Sequence, residues 1–300
     1  MNIRWLIKQQ QFPRYSLLVS LLASITTSWS PAVAFTRRCT SRIDITRTIM
    51  ASSLSSNNNN NNNIIINPLD VLGLPSPVLL GSASFTRKLI LKEMGIPYHI
   101  IVRSIDEQTV GDRNTDLPTD LVAALGKAKA DYLVQEIRAG RCDDELPPQE
   151  GTLSIKGEGG AGIIVLTGDQ VVTCAGKILE KPESIEEAKA FVSQYPTHPP
   201  STVGSCVLTH VPSGIQVSGV DTATVHFRSN FSGADLVDEL LAEDQPILSC
   251  AGGLMVEHPK TKANIERIDG TEASVMGLSK ELVLRLLEEM AQELRKANVL

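Results

Sequence analysis

The residues of this chain best suited to chemistry are hydroxyls, cations and carboxylates set at the ends of apolar runs. Val78-Leu79-Leu80 is followed by Gly81-Ser82-Ala83-Ser84, then by an amphipathic run from about Phe85 to Met94 with Thr86 and Arg87 in its first turn. That order predicts strand, tight turn and helix. A helix that begins just after small residues presents unsatisfied N–H groups and the positive end of its dipole. Ser82, Ser84 and Arg87 converge on the same place, which has the makings of a phosphate cradle. Strand-turn-helix is common in α/β proteins, so the rest of the chain must decide between a ligand site and a capped helix with a solvated arginine.

A second candidate is Asp169. Ile163-Ile164-Val165-Leu166 is an unbroken apolar run, the signature of a strand buried on both faces, and it ends in Thr167-Gly168-Asp169-Gln170. Open α/β sheets place ligands at the carboxyl ends of their strands, where an aspartate is costly unless it meets a metal, a cation or a water to activate. Glu107 lies in the polar loop Ser104-Ile105-Asp106-Glu107, after a strand expected over 96–102. On its own it reads as a solvated acid.

Two lysines complete the set. A helix is expected from about Thr119 to Arg138, with Leu121, Leu125, Ala128 and Tyr132 within about 40° of one another on a wheel of about 100° per residue. Lys129 falls about 80° from Leu121, at the shoulder of that stripe, where its stem can be buried and its ammonium reach a cleft, whereas Lys127 points away. Lys181 precedes Ser184-Ile185-Glu186-Glu187, a capping box that opens another helix.

The elements that hold these residues begin near residue 76. Gly95 should stop the first helix, and Cys206–Val211 with Ile215–Val217 should form a hairpin around Pro212-Ser213-Gly214. Ala223, Val225 and Phe227 alternate as a further strand, with His226 on the opposite side as a surface or pairing residue. Ser279 should cap a long helix whose Leu282, Leu286, Met290 and Leu294 recur at helical spacing. Residues 139–162 read as an inserted mobile loop. Its Gly157-Glu158-Gly159-Gly160-Ala161-Gly162 precedes a strand and lacks the lysine and hydroxyl of a nucleotide loop.

Ahead of this body the composition changes. Arg4, Lys8 and Arg14 precede an apolar run over Tyr15–Trp29 and a small-residue site at Pro31-Ala32-Val33-Ala34, so residues 1–34 read as a signal-peptide-like leader. Residues 35–75 read as an Arg/Ser/Thr-rich transit-like segment followed by a disordered linker that contains Asn57–Asn63. Such a bipartite leader resembles a plastid address of algae with complex plastids. The alternatives are ordinary secretion, or a cytoplasmic product started at Met50. The apolar run is short for a stable membrane span. Seven basic residues against Asp44 in residues 1–49 give +6, and taking this from the whole-chain −6 leaves −12 on the rest. So acidic a body disfavours nucleic acid as a partner. Five scattered cysteines without a C-x-x-C pair suggest neither a disulfide framework nor a zinc site.

Taken in order, Leu80-Gly81-Ser82-Ala83-Ser84-Phe85-Thr86-Arg87, Ile105-Asp106-Glu107, Ala128-Lys129-Ala130, Gly168-Asp169-Gln170-Val171-Val172, Lys181-Pro182, Glu266-Arg267-Ile268-Asp269-Gly270 and Val275-Met276-Gly277-Leu278 resemble the Maf-like nucleoside triphosphate pyrophosphatases. The resemblance spans about Pro77 to Met290 and implies an α/β fold, the two-lobed mixed-sheet type shared with the inosine triphosphatases. It implies hydrolysis between the α and β phosphates of modified or non-standard nucleotides, to monophosphate and pyrophosphate with Mg²⁺ or Mn²⁺. Asp169 would be the base and, with Glu107, a metal ligand, while Ser82, Ser84, Arg87, Lys129 and Lys181 would bind the triphosphate. Thr86, Gln170 and Glu257 stand where the family's branches differ. Gln170 and Glu257 match the 7-methyl-GTP branch, and Thr86 matches neither branch. A guanine-type base is therefore expected, with a dTTP/UTP pyrophosphatase or a nucleotide-binding regulator of septum formation without turnover as alternatives. A homodimer is left open. Fusing residues 1–56 to a fluorescent protein tests the leader: plastid fluorescence is expected, and a purely cytosolic signal would favour initiation at Met50.

Overall fold

A computed structural model of the chain describes residues 66–113, 115–147 and 162–300. The leader expected over 1–34, the linker over 35–65, and residues 148–161 of the inserted loop, with the glycine-rich stretch up to Ala161, lie outside the described residues.

In chain order the first half contains α1 (Pro68–Leu72), β1 (Val78–Leu80), α2 (Phe85–Glu93), β2 (Tyr98–Ile100), α3 (Pro118–Arg138), β3 (Ile163–Thr167) and β4 (Gln170–Cys174). The second half contains β5 (Lys177–Leu179), α4 (Ile185–Val192), β6 (Ser201–Val211), β7 (Gln216–Phe227), α5 (Gly233–Leu241), α6 (Pro259–Asn264), β8 (Ile265–Asp269), α7 (Glu272–Val275) and α8 (Lys280–Lys296). The fold is mixed α/β. Eight strands form one sheet in the order β2-β1-β3-β6-β4-β5, with β7 pairing both β6 and β8. β1 is parallel to β2 and β3, and the remaining pairings are antiparallel.

β3 and β4 share one register. Thr167 faces Val207 and Gln170 faces Gly204 along the same strand β6, so Gly168 and Asp169 bend a single extended path instead of joining two separate strands. The ladder survives on one side of the bend, where Ser205 N donates to Asp169 O at 2.9 Å. On the other side Asp169 N donates to the Ser205 hydroxyl at 3.0 Å. The carbonyl of Ser205 is turned toward Gly168 so closely that a Cβ there would collide with it, which is why this bend takes glycine. Asp169 was expected at a strand terminus. It lies instead at mid-path, just beyond Leu80, where β1 stops pairing and one side of the sheet opens.

Alternation distributes the core. Ile164 and Leu166 pack with α2 and α8, whereas Ile163 and Val165 pack with Leu133, Val134 and Ile137 of α3. Beyond the bend Val171 joins Leu121 and Leu125 of α3, and Val172 joins a separate core with Val192, Phe227 and Val237. Helix α3 thus covers one face along the whole path. The opposite face is shared between α2 with α8 and α4 with α5. Ser84, Ser184 and Ser279 cap α2, α4 and α8, as their positions predict.

Three expectations are corrected. The apolar stripe of α3 includes Val122, Leu133 and Ile137, while Ala128 is only half-buried and Tyr132 is exposed, because the helix packs on two successive parts of the sheet. The strand expected over 223–227 is continuous with the second arm of the hairpin as β7. The folded body starts before residue 76: Asn67 caps α1, and Leu69, Leu72 and Leu74 are buried in the core built on α8. A chain shortened to begin at residue 76 should therefore melt roughly 5–10 °C below one beginning at residue 66, because the lost leucine burial outweighs the ordering of one short helix. Thermal denaturation of both checks this, and equal midpoints would make α1 an ornament.

Candidate active site

The turn after β1 is organised by its own hydroxyls. Ser82 Oγ accepts from Ser84 N at 3.2 Å and from Arg87 Nη1 at 3.3 Å, and Ser84 Oγ accepts from Arg87 N at 3.4 Å. The Arg87 guanidinium points inward, 8 % exposed, and donates from Nη1 to Gly168 O at 2.9 Å and from Nε to Gly277 O at 3.2 Å. Burial lowers its pKa from the ordinary arginine value, and the charges of Asp169 and Glu107 oppose that shift together with the thiol of Cys206. Arg87 thereby ties the turn, the strand bend and the 275–278 turn into one unit.

Asp169 and Glu107 meet on Lys129. The ammonium of Lys129 lies 2.5 Å from Asp169 Oδ1 and 2.8 Å from Glu107 Oε1. Asp169 is well buried, with 13 % of its side chain exposed against 51 % for Glu107. Helix α3 holds Lys129 in position through two bonds to its own backbone: Ser205 Oγ donates to Val122 O at 2.6 Å and Thr167 Oγ1 donates to Gly126 O at 2.9 Å. Gly126 lets the helix approach this closely, since a Cβ would lie 2.5 Å from Ser205 Oγ. Glu107 opens a 3-10 turn whose cap is Asp106, so the neighbouring acid is spent on the backbone.

Asp169 and Gln170, adjacent in sequence, serve opposite sides of the strand path. Gln170 Nε2 donates to Val275 O at 3.2 Å, at the end of α7. Thr86 Oγ1 donates to Met276 O at 2.8 Å, so Ser84 Oγ supplies the proton of the 2.9 Å bond between Ser84 and Thr86. Together with Arg87 on Gly277, three side chains of the site grip three consecutive carbonyls. Glycine at 277 has φ +101 and leaves room for Gln170, whose amide a Cβ would strike.

Lys181 and Glu257 form a second group. Both act on the thiol of Cys250, which burial raises to about 11 with Glu257 adding to the rise and Lys181 opposing it. Among the described residues no hydrogen bond or ion pair joins either of them to Asp169. The link between the groups is Arg113, which donates to Val110 O at 2.8 Å and to Glu180 Oε1 at 3.3 Å, tying the loop that carries Glu107 to the residue before Lys181.

The sequence reading did not single out Ser205, Thr167, Gly126 or Arg113 as site residues. Mid-strand serine and mid-helix glycine carry no motif, although a glycine inside a strong helical pattern signals a close approach. In chemical terms the site offers two hard carboxylate oxygens beside two cations. Among the described residues no three His, Cys, Asp or Glu gather into a ready-made metal cage. Two carboxylates suit a hard divalent ion that completes its shell with waters and phosphate oxygens, so the residues fit such an ion.

Residues 77–290 match the family model described as Maf-like protein. A Dictyostelium discoideum protein named 7-methyl-GTP pyrophosphatase is 30% identical over 216 residues, covering 72% of this chain and 98% of its own. A nucleoside triphosphate pyrophosphatase of Prochlorococcus marinus strain MIT 9313 is 29% identical over 214 residues, covering 70% of this chain and 97% of its own. A dTTP/UTP pyrophosphatase of Deinococcus radiodurans is 29% identical over 211 residues, covering 70% of this chain and 91% of its own.

Glu257 generates a test of its own. Burial raises its pKa above the usual glutamate value, with Glu272 adding to the shift and its own backbone N–H, His258 and Lys262 opposing it. The folded state thus holds this proton more firmly than the unfolded chain, and the native form is penalised as pH rises through the window above about 4. Glu257→Gln should melt above the wild type at neutral pH, with the gap closing as pH falls below that window. A gap that is constant across pH would show that Glu257 is not strained by burial.

Proposed function

The chain belongs to the Maf-like family, and from that premise we propose that it hydrolyses nucleoside triphosphates between the α and β phosphates, releasing a monophosphate and pyrophosphate. The observation that carries the reading is the convergence of Asp169 and Glu107 on Lys129, beside the buried Arg87 and the hydroxyl turn at Ser82 and Ser84. A triphosphate bears about four negative charges, so its site needs cations already in place. Arg87, Lys129 and Lys181 supply them, and Ser82, Ser84 and the first turn of α2 offer hydrogen bonds to phosphate oxygens.

In the chemical step a water oxygen attacks the α phosphorus, the bond to the bridging oxygen breaks, and pyrophosphate leaves. Asp169 takes the proton of that water. The bend at Gly168 keeps its backbone still through Ser205. Glu107 and Asp169 would hold Mg²⁺ or Mn²⁺, which when bound neutralises charge on the phosphates. Arg87 cannot swing, because its Nε and Nη1 are committed to Gly277 O, Gly168 O and Ser82, and it serves as a fixed positive wall.

For the base we propose a guanine type. The similarity to the protein named 7-methyl-GTP pyrophosphatase supports this, as does Glu257, an acceptor when ionised that suits the N1–H and N2–H₂ pair of guanine. The leader supports a plastid location, and among the described residues no helix is long and apolar enough to cross a membrane.

Pyrophosphate release from a panel of normal and modified triphosphates tests the reading. Asp169→Asn should lower kcat by about 10²–10⁴-fold with a much smaller effect on KM, and Glu257→Gln should weaken guanine-type substrates more than pyrimidines. No release from any triphosphate, with nucleotide binding unchanged in Asp169→Asn, would replace the enzyme with a nucleotide-binding protein that lacks turnover.

A further inference from the structure

We propose that Lys129 occupies the cation position of the site until substrate arrives, so that the divalent ion enters with the nucleotide and not ahead of it. The inference rests on the hydrolytic reading above and concerns the order in which that site is filled. The ammonium of Lys129 lies between the two carboxylates that suit a metal, 2.5 Å from Asp169 Oδ1 and 2.8 Å from Glu107 Oε1. An ammonium and a divalent ion cannot share that place, since like charges so close repel strongly where solvent is limited. Lys129 is sheltered there, with 18% of its side chain exposed.

Charge balance sets the order. In the cluster around Asp169, with Lys181 outside it, Asp169 and Glu107 carry two negative charges and Lys129 and Arg87 two positive ones, so the cluster is neutral before nucleotide arrives. A divalent ion arriving alone must expel Lys129, which leaves Asp169, Glu107, Arg87 and the ion with a surplus of about one positive charge in a half-buried cleft and the displaced ammonium without its partners. An ion arriving on a triphosphate brings about two net negative charges, and the phosphate oxygens offer Lys129 new partners as it gives up the carboxylates. Of the two cations only Lys129 can make this move. It hangs on a flexible four-carbon stem, whereas the guanidinium of Arg87 is tied to the carbonyls of Gly168 and Gly277. Arg87 thus stays as the fixed counter-charge, and Lys129 is the exchangeable one.

Equilibrium dialysis of the full chain against Mn²⁺, with bound ion counted by electron paramagnetic resonance, tests the order. Without nucleotide, Lys129→Met should hold Mn²⁺ at least about tenfold more tightly than the wild type, because the competing charge is gone. Adding Glu107→Gln to that variant should abolish the gain, which places the ion between the two carboxylates. In the wild type, a triphosphate with a methylene group in place of the α–β bridging oxygen should increase the Mn²⁺ retained by the protein. Equal or weaker Mn²⁺ binding by a folded Lys129→Met overturns the proposal, as does a wild type that retains Mn²⁺ equally well with and without the analogue. Should Lys129→Met fail to fold, as a thermal melt would reveal, the wild-type arm alone decides. A protein that releases no pyrophosphate yet gains Mn²⁺ affinity in Lys129→Met would sink the hydrolytic reading and leave the placeholder role standing.

Discussion

A guanidinium buried beneath a strand bend is the constraint on which the rest of this structure depends. Taking the charge of Arg87 out of water costs several kcal/mol unless hydrogen bonds and counter-charges offset it. The hydrogen bonds come from Gly168 O, Gly277 O and Ser82, and the counter-charges from Asp169 and Glu107. The five partners come from four segments, the 82–84 turn, the 107–109 turn, the bend at Gly168 and Asp169, and the 275–278 turn. Their convergence is therefore a folding requirement as well as a feature of the site, and the same contacts that stabilise Arg87 keep the acids beside it.

The second constraint is the single register running through β3 and β4. Because the path is continuous, alternation continues through the bend. Thr167, Asp169 and Val171 address α3, whereas Leu166, Gln170 and Val172 address the opposite side. A loop at this point would have left Asp169 free to wander. A strand fixes it to within a rotamer, with Ser205 standing in for the missing ladder bond. Close approach is what makes this feasible, with Gly168 against Ser205 and Gly126 against the same serine from α3.

Much of this was legible from residue types. The unbroken Ile163–Leu166 run is buried on both faces, and Lys129 reaches the cleft where Lys127, with 60% of its side chain exposed, pairs with Asp131. What stayed hidden has physical reasons. Thr167-Gly168-Asp169-Gln170 interrupts the apolar run, so composition reports a strand end where the backbone merely bends. Helix α1 is five residues long, too short for periodicity to register, and its stability comes from Leu69 and Leu72 meeting a helix more than two hundred residues away. Tyr132 was misplaced because a wheel centred on Leu121 assumes one flat partner, whereas α3 leans on two parts of a bent sheet.

The three positions where the family's branches differ separate once their hydrogen bonds are considered. Thr86 gives its proton to Met276 O and Gln170 gives an amide hydrogen to Val275 O, so both spend donors on holding the 275–278 turn. The donors spent there hold both side chains in place, and giving one up would leave a carbonyl in need of another partner, at a cost of about 1–3 kcal/mol, so each meets a ligand only with the hydrogen-bonding capacity that is left. Glu257 holds no carbonyl of that turn: its carboxylate accepts from its own backbone N–H, among the described residues it forms no ion pair, and burial already strains its charge. A ligand offering two N–H donors would relieve that strain, whereas one presenting acceptors would add to it. On the guanine-type reading proposed above, Glu257 is thus the position of the three whose charge a base would answer most directly, while Thr86 and Gln170 hold the turn beside Arg87.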